Sequence, residues 1–212
     1  MPIPITAKGL ANFMTASHAA QRKILRDFKF PKPEGSAQAM YYSEALHCIR
    51  RYHQSGNDED VIIRTADRLR AEAQSAGSAT ATRLRHNLAV LLKYWKHFGT
   101  RNFTLLDVPT LALTYGEVRV KASPDLCVRE KERRLLKFDF GTKPPVDQLI
   151  KAMLQIIYEA ASAAGDAVTA KNVRYLDVRR GKEYPGAKTR SRLAREIEAA
   201  CANIEALWPS IN

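Results

Sequence analysis

Along the first hundred residues the apolar positions recur at helical spacing. Thr6 can cap a helix with Leu10, Phe13 and Met14 on one side, and a second runs through Ala19-Ala20-Gln21-Arg22-Lys23-Ile24-Leu25-Arg26. Two prolines and a glycine in Phe30-Pro31-Lys32-Pro33-Glu34-Gly35-Ser36 break the pattern. Met40, Leu46, Ile49 and Tyr52 then mark a helix over 37–55, ended by Gly56-Asn57-Asp58. Helices are predicted over 61–73 and 79–98, the latter with Leu84, Leu88, Leu91, Leu92 and Trp95 on its apolar face and Gly99 as its carboxy-terminal cap.

Beyond Gly99 the period shortens to two. Thr110-Leu111-Ala112-Leu113-Thr114 and Val118-Arg119-Val120-Lys121-Ala122 flank Tyr115-Gly116-Glu117, which predicts a tight hairpin. Segments 126–129 and 134–140 flank the charged turn Glu130-Lys131-Glu132-Arg133 and predict a second hairpin, terminated by Pro144-Pro145. An alanine-rich helix over 146–164, an alternating strand at Asn172-Val173-Arg174-Tyr175-Leu176-Asp177-Val178 and a helix over 191–207 complete the series. The expected fold is α/β, a mixed central sheet flanked by helices. Residues 1–100 form a helical N-terminal subdomain and 101–212 the α/β core, the two making one compact unit.

A chain of 212 residues can bury such a core without staples. No apolar run approaches the roughly 20 residues of a spanning helix, so no membrane partner is expected. Met1-Pro2-Ile3-Pro4-Ile5-Thr6 has no basic segment leading into an apolar one, so no secretory signal is read and a cytoplasmic location is expected. Cys48, Cys127 and Cys201 are odd in number and far apart, which argues against a disulfide framework, a zinc site and an iron–sulfur cluster. The formal charge of +12, from 34 basic against 22 acidic residues, favours a polyanionic partner, and nucleic acid is the one expected.

Two acids carry the candidate chemistry. Asp125 follows Pro124 at a strand entrance, and Asp139 interrupts the apolar Leu135-Leu136-Lys137-Phe138 and Phe140, where a carboxylate must be paired, hydrogen-bonded or metal-bound. Such acids at one edge of a hairpin could hold a hard divalent cation for phosphodiester chemistry. Arg174, Arg179, Arg180, Lys182, Lys188, Arg190, Arg192 and Arg195 crowd the last strand, its turn and the final helix as a phosphate-binding surface; Arg22, Lys23, Arg26 and Lys29 form a second cluster. Solvated faces without a ligand are the plain alternative.

Four segments fall in a recognisable order. Ile5-Thr6-Ala7-Lys8-Gly9-Leu10 opens the chain and leads to Ala16-Ser17-His18-Ala19-Ala20-Gln21-Arg22-Lys23; Ala45-Leu46-His47-Cys48-Ile49 follows; then come Pro124-Asp125 with Asp139; and finally Leu154-Gln155-Ile156-Ile157-Tyr158. This order resembles the RecB-like branch of the PD-(D/E)xK nuclease superfamily, including its small CRISPR-associated exonucleases. The resemblance implies a restriction-endonuclease-like core and Mg²⁺ or Mn²⁺ held by Asp125 and Asp139, with His47 as an auxiliary ligand. It also implies a nucleic-acid track, DNA above all, lined by Gln155 and Tyr158, and a helicase or a defence or repair complex as partner. Some relatives carry an iron–sulfur cluster; here no cysteine stands near Ala16, so none is expected.

The chain departs from the pattern where a lysine belongs two residues past the second acid, because Gly141 stands there. Lys143, just beyond the strand, is the relocated catalytic lysine in this reading; Lys137 shares a face with Asp139 but lies on the wrong side of it along the strand. Gly141 equally favours a catalytically degenerate nuclease fold that binds nucleic acid or scaffolds a complex. A third reading is a basic protein-interaction subunit in which the acids are structural.

Overall fold

The computed structural model describes residues 2–31, 41–187 and 191–212; Lys188 and Arg190, both read as phosphate contacts, lie outside the described residues. The chain opens with β1 (Ile3–Thr6), which turns directly into α1 (Ala7–Thr15). Thr6 makes the transition as the helix cap, its Oγ1 accepting the Gly9 N–H at 3.0 Å. Next come α2 (His18–Lys29), α3 (Ser43–Gln54), α4 (Glu59–Ser75) and α5 (Ser78–Phe98). Asp58 caps α4 through the Asp60 N–H, and the Gly99 N–H closes α5 onto the Trp95 carbonyl. The second half alternates: β2 (Thr104–Leu106), β3 (Ala112–Tyr115), β4 (Val118–Lys121), β5 (Leu126–Arg129), β6 (Arg133–Asp139), α6 (Asp147–Ala163), β7 (Val173–Asp177), β8 (Lys182–Pro185) and α7 (Ser191–Leu207).

The protein is α/β, with mixed strands in two sheets where one was expected. A three-stranded sheet runs β1-β4-β3, with β1 parallel and β3 antiparallel to β4. A five-stranded sheet runs β2-β5-β6-β7-β8, in which only β6 and β7 are parallel. The two predicted hairpins therefore belong to different sheets. β1, β2 and β8 have no counterpart among the predicted elements, because three or four residues carry too little pattern and become strands through their partners.

The five-stranded sheet is covered on both faces. One face, with Leu126, Val128, Leu136, Phe138, Leu176 and Val178, packs against α3, α4 and α5 through Ile49, Leu69, Leu91 and Tyr94. The other, with Cys127, Leu135, Val173 and Tyr175, packs against α6 and α7 in a core shared with α1 and the three-stranded sheet. Of the 1–100 segment, α3 to α5 form the first layer, whereas β1, α1 and α2 lie with the second half of the chain. Double coverage explains why β5 and β6 are apolar at adjacent positions instead of alternating. Among the described residues no helix is long and apolar enough to cross a membrane.

The connection from β6 through α6 to β7 sets the site. It makes the two strands parallel and brings their carboxyl ends side by side, Asp139 opposite Asp177 at the last register position. Open α/β sheets place ligand chemistry at such ends.

Candidate nucleic-acid interface at the strand ends

Asp125 stands immediately before β5, and its N–H donates to the Leu136 carbonyl at 2.8 Å. Because Leu126 pairs with Leu136, Asp125 lies opposite Lys137. Lys137 Nζ is 2.9 Å from Asp125 Oδ1 and donates also to the Ser123 carbonyl at 3.3 Å, while the Phe138 N–H donates to Asp125 Oδ2 at 2.7 Å. Lys137 was expected on the wrong side of Asp139 along the strand; the register makes it the lysine that the first acid meets. Lys143 is exposed and makes no ion pair among the described residues.

Asp139 is buried at 8% exposure, and its Oδ1 accepts the Gly141 N–H at 3.0 Å. A Cβ at position 141 would lie 3.1 Å from that same oxygen. Position 141 thus points toward the carboxylate, and glycine supplies no cation from it. Tyr175, the register partner of Lys137, faces Asp139 from β7; burial first, then the charge and hydrogen bonding of that carboxylate, push its phenol pKa up. Asp177 is fully buried and is held by Arg180, whose Nη1 approaches Oδ2 at 2.9 Å and whose main-chain N–H donates to Oδ1.

Cations also secure the loops around these acids. Arg50 of α3 donates to the Asp125 carbonyl at 2.8 Å, Arg179 Nε to the Phe140 carbonyl at 2.7 Å, and Arg180 Nη2 to the Thr142 carbonyl. His47 is exposed one turn before Arg50, and Lys182 is exposed at the start of β8 beside Asp177. Arg50, Lys137, Arg179, Arg180 and Lys182 thus stand beside Asp125, Asp139 and Asp177 or the loops that carry them, five cations to three acids.

The arrangement does not fit Mg²⁺ or Mn²⁺ well. Both oxygens of Asp125 are engaged from within, one by an ammonium that a divalent cation would have to displace. Among the described residues no group of three or more His, Cys, Asp and Glu side chains is placed to hold a metal ion.

Gln155 and Tyr158 come together, as their three-residue spacing allows, on a cavity of about 380 Å³ between α6, β8 and the start of α7. Tyr184 lines it too and meets Tyr175 at a ring separation of 6.2 Å. Gln155 Nε2 donates to Glu159 at 2.8 Å, and the other Glu159 oxygen accepts the Tyr115 hydroxyl at 2.7 Å, so this glutamine also braces the three-stranded sheet. Arg174 points to the opposite face of the five-stranded sheet, 3.6 Å from Glu183. Arg192 is exposed and paired with Glu196 at 2.9 Å. The second basic cluster holds the C-terminal segment: Arg26 donates to the Asn212 main-chain oxygen at 2.7 Å, and Lys29 to the Trp208 and Ile211 carbonyls at 2.9 Å each.

Sequence reasoning passed over Asp177, Tyr175 and Arg50. For Asp177 the signal was present: Val173-Arg174-Tyr175-Leu176-Asp177 is an apolar strand ended by an acid, like Leu135-Leu136-Lys137-Phe138-Asp139. Arg50 had no such signal, since its contact is made 75 residues away. No protein-family model matches the chain, and no curated protein matches it.

Proposed function

We propose that this chain is a nucleic-acid-binding protein built on a restriction-endonuclease-like core that binds without cutting. The observation that carries the reading is Lys137 Nζ at 2.9 Å from Asp125 Oδ1, with the Phe138 N–H on the other oxygen: the first acid is satisfied internally. The succession of acid-bearing hairpin, crossover helix and acid-ended parallel strand supports the core, in the order of the resembled superfamily. The net charge of +12 and the exposed Lys143 and Lys182 at the strand ends support a polyanionic ligand, DNA first. Helicase or defence-complex proteins would then use the chain as a binding or scaffolding subunit.

One observation favours a second reading. Asp125, Lys137 and Asp139 bring two acids and a lysine to one face of one hairpin, the set a metal-dependent deoxyribonuclease uses. Fluorescence anisotropy with single-stranded DNA, duplex DNA and RNA across a salt series, with gel analysis of the same samples in Mg²⁺ or Mn²⁺, separates the two. The expected result is salt-sensitive binding with intact substrate for both the wild type and Asp139→Ala. Cleavage by the wild type that disappears in Asp139→Ala overturns it in favour of the nuclease. Absence of any salt-sensitive binding leaves the protein-interaction reading.

A further inference from the structure

On the face of the five-stranded sheet opposite Tyr175, five charged side chains form a ring. Arg101 sits between two acids, its Nε and Nη2 donating to Glu130 at 3.2 and 3.1 Å and its Nη1 to Glu183 at 2.8 Å. Arg134 of β6 bonds Glu130 from the other side, and Arg174 of β7 lies 3.6 Å from Glu183. Arginine and glutamate alternate around the ring except at one place. Arg134 and Arg174, diagonal neighbours on adjacent parallel strands, follow one another with no acid between them.

The gap coincides with unmet hydrogen bonding. Among the described residues Arg134 Nε and Arg174 Nε are both buried without a partner; Glu183 Oε1, 3.6 Å from Arg174 Nη1, is unpartnered as well, so the ring holds two unpaired donors against one unpaired acceptor. Native structures seldom bury guanidinium donors unpaired, so two in one cluster call for an acceptor. The ring still opens to solvent, since its five side chains are between 16% and 26% exposed. Three guanidiniums against two carboxylates leave one positive charge uncompensated. Burial opposes ionisation of Glu130, yet the hydrogen bond from Arg101 and the charges of Arg101, Arg134 and Arg174 hold its carboxyl below the usual range, so its charge is committed to the ring.

We infer that Arg134 and Arg174, backed by Arg101, bind one oxyanion of the phosphate class at this gap. Its oxygens would accept from the two arginines left adjacent, the planar-fork geometry that guanidinium groups offer to phosphate. The site lies on the sheet face turned away from Asp139 and Tyr175, and it does not depend on the reading proposed for them.

Calorimetric titration of the full chain with inorganic phosphate, at ionic strength held constant with sodium chloride, tests the inference. Saturable one-to-one binding is expected, weakened about tenfold or more in Arg134→Gln and in Arg174→Gln. Arg119→Gln, on the solvent face of β4, should leave it unchanged. Arg174→Lys keeps the charge but removes Nε, and should weaken binding as well; it serves if a glutamine variant fails to fold. A twelve-nucleotide single strand that competes with phosphate identifies a polymer backbone as the source, and one that does not identifies free phosphate. Absence of saturable binding, or equal affinity in the wild type and the Arg134→Gln/Arg174→Gln double variant, overturns the inference.

Discussion

Arg180 clasps Asp177 through its guanidinium at 2.9 Å and its own main-chain N–H at 3.2 Å, and this contact lets two acids end adjacent parallel strands. Asp139 and Asp177 occupy the same register position, where unscreened carboxylates would repel. Arg180 neutralises the fully buried one and ties the β7–β8 turn to the loop after β6 through Thr142.

Arg180→Ala strands the Asp177 carboxylate in a dry site. The expected loss is about 3 kcal/mol, because breaking a buried pair leaves an uncompensated charge. For a chain of this size that lowers Tm by about 6–12 °C. Adding Asp177→Asn should recover part of it in thermal melts, whereas equal melting of wild type and Arg180→Ala would refute the role.

Lys137 and Asp125 form the second pair to test. Their side chains are 24% and 21% exposed, so solvent screens them only in part. A double-mutant cycle with Lys137→Met and Asp125→Asn, followed by urea unfolding, should give a coupling of about 1 kcal/mol. Independent, additive effects would show that the contact contributes nothing to folding.

His53 makes stability fall in mild acid. Its Nε2 lies 2.7 Å from the Tyr94 hydroxyl and its Nδ1 2.8 Å from Asn57 Oδ1, and burial pulls the imidazole down to about 4. A folded pKa below the unfolded value of about 6.5 means that the unfolded chain binds the proton first as pH drops. Stability from this group is complete above the unfolded value and is lost from there down to about pH 4, with about 2 kcal/mol gone by pH 5. Urea midpoints for the wild type and His53→Gln should differ less at pH 5 than at pH 7.5; a constant difference excludes His53 as the cause.

Gly181→Ala addresses the turn that carries Arg179 and Arg180. Gly181 has φ +63°, and an added Cβ would lie 2.6 Å from the His97 ring. Left-handed strain and the close contact together should cost about 1–3 kcal/mol, read as a lower Tm. An unchanged Tm would mean that the turn adapts freely.

Much of the local structure was legible because it depends on local pattern. The runs Leu84, Leu88, Leu91 and Leu135-Leu136 are long enough to declare helix and strand, and Gly116, with φ +55°, permits the two-residue turn between β3 and β4. β1 was illegible for the opposite reason: Ile3 and Ile5 could equally precede a helix, and only β4 makes them a strand. Asp125 and Asp139 were found because an acid beside an apolar strand is conspicuous on any page. Lys137 was set aside because its place relative to Asp125 depends on hairpin register, which the charged turn does not spell out.

The sequence by itself determined the α/β class, the two hairpins, the acids at the strand ends and the excess of basic charge, all properties of neighbours in the chain. Only the tertiary structure decided what each charge does. Strand register placed Lys137 against Asp125, the parallel crossover set Asp139 beside Asp177, and side-chain alternation sent Arg174 to the opposite face of the sheet. Charge is fixed by composition, whereas its partner is fixed by geometry, because an ion pair forms over a few ångströms of space and not over a stated number of residues.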